Sequence, residues 1–336
     1  MSELYLGIDT SNYKTSIAVI DGNNDVVYQR SEYLEVPEGN RGLRQSECFF
    51  RHSNILPQYF EELAAAIDLR KIASVGVSSR PRRVEGSYMP CFLAGINAAK
   101  LTASILDIPL YEFSHQEGHA AAVIEDRETI CRCDDDPAIM LHLSGGTTEI
   151  LECRKNAEGY DLRIAGGTRD ISIGQLLDRA GVAMGYSFPS GMYLDEQAVS
   201  YAECRGNDRH IIKNTPVTAI RTEKGFFNLS GTETQAMRWI ESASADDYPL
   251  IAYTLLERIS ELIYAAASEI SDTAGTSSIY MTGGVSSSAF IRKALQDRIC
   301  NGKPDFILGK PSLSGDNAVG TARLARRRSA RRYAPY

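Results

Sequence analysis

Residues 138–168 read AIMLHLSGGTTEILECRKNAEGYDLRIAGGT: a short apolar run, the loop SGGT, a second β-rich run, the turn NAEG and a third run. The alternation predicts strand, loop, strand, tight turn, strand. The same order stands near the start. There LYLGID (4–9), the turn residues SNYK (11–14), TSIAVID (15–21), the turn GNND (22–25) and VVYQRSEYL (26–34) follow one another. Two copies of one supersecondary plan therefore lie in the chain. Each is followed by apolar residues at helical spacing, HSNILPQYFEELAAAI (52–67) in the first half and LIAYTLLERISELIYAAASEISD (250–272) in the second. Each half then holds a further strand, SVGVSS (74–79) and SIYMTGG (278–284), running into a helix.

Strands alternating with helices, duplicated, predict an α/β chain with the two-lobed fold of the actin-like ATPase and sugar kinase superfamily, its βββαβα lobes facing a central cleft. The expected lobes are 1–133, which carries the HxxxH pair, and 137–336, which carries the nucleotide-binding loops and the basic terminus, with the acidic run Asp134 to Asp136 between them. Ligands of such folds sit at the carboxyl ends of the strands, where loops and helix N-termini offer free N–H groups.

The chain has 336 residues, enough for two ordinary cores without disulfides. Its start has no cationic and apolar leader and no run approaches the ~20 apolar residues of a membrane span, so it is expected to be cytoplasmic with no membrane contact. The seven cysteines form no CxxC pair and suit reduced thiols, although Cys131 and Cys133 beside Asp134 to Asp136 make a candidate soft metal patch. A net charge of −7 argues against indiscriminate nucleic-acid binding. The exception is the end, where Arg323, Arg326, Arg327, Arg328, Arg331 and Arg332 form a cationic patch suited to RNA phosphates or to solvation alone.

The sharpest local signal is Ser114-His115-Gln116-Glu117-Gly118-His119 after the strand-like IPLYEF. On a helix, His115 and His119 share one face at i,i+4, as two imidazoles on one metal require. Glu117 falls one position late for the zinc-protease HExxH arrangement, and Gly118 places the pair at a first helical turn. His142 and Leu143 lead into Ser144-Gly145-Gly146, where small residues let the backbone approach a phosphate. Gly283 and Gly284, in the run Met281 to Ser286, end a strand and open a helix, making a second nucleotide-facing loop. Asp316 precedes the last helix and reads equally as a metal carboxylate or an N-cap. Asp178 and Asp195 read as acceptors for ribose or adenine edges, or as plain surface acids.

In this order, GIDTS, RHSNILP, AGINAAK, HQEGH, LSGGTTE, GQLLDRAG, FPSG, NLSGTET, TGGVS and SGDNA resemble the universal tRNA threonylcarbamoyladenosine synthase family, formerly labelled O-sialoglycoprotein endopeptidase, over nearly the whole chain. The resemblance implies transfer of a threonylcarbamoyl group from threonylcarbamoyl-AMP to the N6 amine of the adenosine beside the anticodon in tRNA. It implies a divalent metal, Fe2+ or Zn2+, and an adenylate substrate or ATP. The implied partners are tRNA and either TsaB/TsaE-type helper proteins or a paralogous synthase. His115 and His119 match the paired metal ligands, Asp316 the carboxylate ligand, and His142 stands where some members carry a tyrosine ligand. Ser144, Gly145 and Gly146 match the substrate loop, and Asp178, Gly191 and Asp195 the adenosine site. No covalent protein nucleophile is implied, and no catalytic residue is assigned beyond the metal site.

The sequence also departs from the family. Asn12, Tyr13 and Lys14 stand where two acids are usual, Ser288 replaces an asparagine and Glu233 a lysine. SSRPRRVEGSYMPCF replaces a Gly-Pro-Gly loop, and Ala252 to Leu255 an ASFQ string. These changes frame the alternative: a non-catalytic or substrate-shifted paralogue that binds nucleotide and metal and partners a true synthase. A small-molecule kinase or carbamoyltransferase ranks lower because Lys14 occupies the usual acid site, and a protease ranks last.

Overall fold

The computed structural model describes residues 3–11, 13–35, 43–126, 137–205, 211–299, 304–308, 310, 313, 315 and 318–332. The chain divides into two compact units, the first comprising 1–134, 154–162 and 316–336, the second 135–153 and 163–315.

In the first unit, β1 (Leu4–Asp9), β2 (Lys14–Asp21), β3 (Val26–Tyr33), β4 (Ile72–Arg80) and β5 (Leu110–Ser114) form one sheet in the order β3-β2-β1-β4-β5. The first three strands run antiparallel and β4 and β5 continue in parallel, so the carboxyl ends of β1, β4 and β5 share one edge of the sheet. β1 is buried along its whole length because both faces are covered. Helix α1 (Gln45–Ala66) turns Cys48, His52, Leu56, Tyr59 and Leu63 inward, one stripe at three- and four-residue spacing. Helices α2 (Phe92–Leu106) and α3 (His115–Ile124) follow β4 and β5.

The second unit repeats the plan. Strands β6 (Ala138–Leu143), β7 (Thr148–Lys155) and β8 (Tyr160–Thr168) lead into α4 (Ile173–Ala183), α5 (Gly191–Arg205), the two-residue β9 (Phe226–Phe227), α6 (Ser230–Ser242) and α7 (Tyr248–Ala274). Then come β10 (Ser278–Thr282), α8 (Ala289–Gln296), β11 (Asp305–Ile307) and α9 (Val319–Arg332). The sheet order β11-β10-β6-β7-β8-β9 is the first sheet's order with one short strand added at its edge. The core gathers around α7, whose Ile251, Leu255, Ile259 and Leu262 are almost fully buried. Among the described residues no helix is long and apolar enough to cross a membrane.

The terminal helix departs from the expected boundary. Instead of closing the second lobe, α9 belongs to the first unit and packs on β1, β4 and α3. The approach is close enough to exclude side chains: a Cβ on Gly320 would stand 1.8 Å from the Gly118 carbonyl oxygen, and one on Gly7 would stand 2.2 Å from that of Ala318. These glycines are the seat of the helix.

Three of its arginines, Arg323, Arg326 and Arg327, are correspondingly spent on partners within the protein, a correction to reading the whole run as an open cationic patch. Arg323, 1% exposed, donates to the Ala122 carbonyl and to Asp126 Oδ1, each at 2.7 Å. Arg326 donates to the Gly22 carbonyl at 2.8 Å. Arg327 donates to Glu125 at 2.5 Å and to the Gly159 carbonyl at 2.6 Å, and lies over the Tyr160 ring. The Cys131 and Cys133 patch and Asn12 lie outside the described residues. Lys14 opens β2 with its ammonium 4.8 Å from the Tyr33 ring centroid.

At the end of β8, Asp170 ties the sheet to the start of α6, accepting from the backbone N–H groups of Leu229 at 2.8 Å and Ser230 at 3.0 Å. Burial works to raise its carboxyl, but these hydrogen bonds outweigh it and hold the group well below the usual carboxylate range. A depressed folded value adds stability that is complete above the ordinary pKa and lost as pH falls through the folded one. Asp170→Ala is therefore expected to lower stability by about 1 kcal/mol at neutral pH. The gap to the parent closes as pH drops below 4, the ordinary value being 3.8, in denaturant melts across pH.

Candidate functional site

In the first unit the site is built where β1 and β5 end. Ser114 caps α3 in a reciprocal box: its hydroxyl accepts from the Glu117 N–H, and Glu117 Oε2 accepts from the Ser114 N–H at 2.9 Å. The helix therefore starts at His115, on its first turn. His115 and His119, one turn apart, bring their Nε2 atoms to 2.9 Å. Behind them, Asp9 at the end of β1 stands 2.8 Å from His115 Nδ1.

Asp9 is almost fully buried and also accepts from the Ser11 N–H at 2.8 Å and the Ser78 hydroxyl at 2.5 Å. Burial works to raise its carboxyl, yet the His115 imidazole and these donors hold it at about 2. The carboxylate at Nδ1 orients the His115 ring so that its Nε2 faces His119. Two imidazole nitrogens facing each other with a carboxylate bracing one of them is the arrangement by which proteins hold a divalent ion. The pair thus fits the metal that the sequence implies.

Asp9 was missed as a site residue because its signal, an acid closing a buried strand in GIDTS, points as readily to a turn. Glu117, out of register for a general base, is a structural residue. Its Oε2 closes the capping box, while its Oε1 lies 3.4 Å from the Tyr160 N–H and 3.6 Å from Arg83.

His142 is buried on β6 in the second unit, with Glu149 and Thr282 as strand neighbours. Asp316 lies outside the described residues. Among the described residues no group of three or more His, Cys, Asp or Glu side chains is placed to hold one metal ion.

The second unit brings the glycine loops together at the carboxyl ends of its parallel strands β6 and β10. Ser144 and Thr147 close the turn after Leu143, with the Ser144 N–H donating to the Thr147 carbonyl at 2.8 Å. Gly145 and Gly146 are open on the side where a Cβ would stand. The N-terminus of α4 lies against this turn, its cap Ser172 donating to the Gly145 carbonyl at 2.7 Å. Beside it, Gly283 takes φ +92°, and a Cβ there would stand 2.2 Å from the Leu143 carbonyl oxygen, so the β10 loop presses directly on the β6 loop. Gly284 is open. Glycine turns next to a helix N-terminus present N–H groups and room for a phosphate.

Asp178 on α4 anchors the FPSG turn, its Oδ1 accepting from the N–H of Ser190 at 2.8 Å and of Gly191 at 3.1 Å. Burial raises its carboxyl against those hydrogen bonds. Among the described residues no donor reaches its Oδ2. Asp195 and Ser288 find each other instead. The Ser288 hydroxyl donates to Asp195, which also accepts from the N–H groups of Ala289 at 2.8 Å and Phe290 at 3.1 Å. Both oxygens of Asp195 thereby cap α8.

The family model and the sequence relatives point to one family, and the solved structures to one fold. Residues 40–323 match TsaD, tRNA N6-adenosine threonylcarbamoyltransferase. The protein of that name from Thermotoga neapolitana is 24% identical over 320 residues, which cover 95% of this chain and 92% of its own. Among solved structures, component A of (R)-2-hydroxyglutaryl-CoA dehydratase from Acidaminococcus fermentans superposes with a TM-score of 0.54 at 14% identity, over 98% of this chain and 100% of that one. The activator of 2-hydroxyisocaproyl-CoA dehydratase from Clostridium difficile, solved with bound ADPNP, gives 0.51 at 15% identity, over 100% and 99%. With the duplicated β3-β2-β1-β4-β5 plan these likenesses establish the actin-like ATPase fold, and with the match over most of its length the chain belongs to the tRNA N6-adenosine threonylcarbamoyltransferase family of acyltransferases.

Proposed function

We propose that this chain transfers a threonylcarbamoyl group from threonylcarbamoyl-AMP to the N6 amine of the adenosine next to the anticodon in tRNA, and that it does so with a divalent metal. The observation that carries the reading is the braced pair, His115 and His119 with facing Nε2 atoms 2.9 Å apart and Asp9 behind the first. His115 and His119 would hold the ion, Fe2+ or Zn2+, with His142 and Asp316 as the proposed further ligands. When bound, it supplies Lewis acidity for the carbamoyl carbonyl or phosphate oxygens of the adenylate.

The chain's own residues do the rest. The N–H groups of Gly145 and Gly146 and of Gly283 to Gly284 receive the phosphate of the adenylate, and Asp178 Oδ2 accepts a hydrogen bond from its nucleoside. In the reaction the tRNA amine attacks the carbamoyl carbon, a C–N bond forms, the bond from that carbon to the phosphate oxygen breaks, and AMP leaves. The proton lost from the amine passes to solvent or to the departing phosphate. Positioning of two bound reactants supplies much of the rate without a covalent protein intermediate. Helper proteins of the TsaB/TsaE type or a paralogous synthase are the proposed protein partners.

The test is rescue. In a strain lacking its synthase, this chain with its helper proteins is expected to restore the modified nucleoside, measured by mass spectrometry of digested tRNA. No restoration, with the protein soluble and its helpers present, contradicts the assignment.

A further inference from the structure

Two sequence features that the transfer reaction does not use, the arginine-rich segment after β4 and the arginine-rich last helix, meet in the first unit. They line a cavity of about 200 Å³ along the edge strand β5, where Arg80, Arg83 and Arg328 stand around Tyr111 and Phe113. We propose that these three arginines form a phosphate subsite that grips a phosphodiester of the RNA substrate, an inference that rests on the tRNA reading above.

A stand-in anion already occupies part of the place. Glu158, on the turn between β7 and β8 and 56% exposed, ion-pairs with Arg83 and lies 3.6 Å from Arg328. Its carboxylate presents two oxygens and one negative charge, as the free oxygens of a phosphodiester do, and guanidinium groups pair with either in the same fork geometry. An exposed ion pair of this kind is worth at most about 1 kcal/mol, so a phosphate that engages several guanidiniums displaces it. Arg80 has no carboxylate partner among the described residues. The cavity also carries Glu112 and the buried Glu117, whose Oε2 is committed to the α3 cap while its Oε1 lies 3.6 Å from Arg83, so Arg83 is the most carboxylate-engaged of the three. Arg328, which also lies over the Tyr111 ring, is the part of the terminal arginine run that faces this cavity.

The experiment is equilibrium binding of unmodified tRNA to the full chain over a range of salt. Arg80→Gln and Arg328→Gln are each expected to weaken binding several-fold and to lower the slope of log K against log salt by about one. Glu158→Gln, which removes the competing carboxylate, is expected to tighten binding, a gain that a merely destabilised variant does not give. Unchanged affinity and slope in both arginine variants, or weaker binding by Glu158→Gln, overturns the subsite. If the parent still modifies tRNA in that case, the transferase reading stands without it, whereas a parent that binds no tRNA overturns both. Inorganic phosphate is titrated alone as a second arm. Phosphate binding that is lost in Arg80→Gln while tRNA binding is untouched assigns the pocket to a free anion and overturns the RNA assignment.

Discussion

His119→Ala is expected to strip the protein of its divalent metal, leaving less than about one-tenth of the parent's content by elemental analysis, and to abolish transfer with it. The two Nε2 atoms stand 2.9 Å apart, close enough for both to reach one ion at the ~2.0–2.1 Å of zinc–imidazole bonds. Removing either leaves a site without its chelating pair. Asp9→Ala tests the brace. It keeps both imidazoles but releases His115 Nδ1 from its carboxylate, and a loss of this kind costs about 10–100-fold in metal affinity. A competition titration with a chromophoric chelator reads that factor directly, and an unchanged affinity would show that Asp9 serves the strand end alone.

Gly320→Ala is the substitution expected to cost most in stability. In an ordinary helix the change would stabilise by about 1 kcal/mol through propensity. In α9 the new methyl would stand 1.8 Å from the Gly118 carbonyl oxygen and 2.6 Å from the Ala122 N, both backbone atoms that no rotamer can move aside. The two helices have to separate, and overpacking of this sort costs about 3 kcal/mol or more. Gly231→Ala in α6, where a Cβ meets nothing within 4 Å, is the control and is expected to be neutral or slightly stabilising. Urea melts of the two variants should move in opposite directions.

The repeated strand plan was legible because a half-buried or buried strand advertises itself within six to eight residues, and LYLGID and AIMLHL do so on their own. The start of α3 was legible for the same local reason: Ser114 and Glu117 are a capping box written in four residues. What the sequence concealed depends on distance along the chain. Nothing local in Gly7, Gly118 and Gly320 announces that they receive one another's elements, so the return of α9 to the first unit was hidden. The arginine run misled for that reason too. A string of cations looks solvated until Asp126, Glu125 and the carbonyls of Gly22, Ala122 and Gly159 arrive from other parts of the chain. Asp195 and Ser288 show the converse, two residues that read separately as ligand contacts and fold into a cap for α8.

The most direct measurement is a transfer assay with purified protein, its helper proteins, threonylcarbamoyl-AMP and unmodified tRNA, scored for N6-threonylcarbamoyladenosine with metal present and after chelation. The account expects product from the metal-loaded parent, none after chelation, recovery on adding Fe2+ or Zn2+, and none from His119→Ala under any condition. Product formed at the parent's rate by chelated protein or by His119→Ala would contradict it.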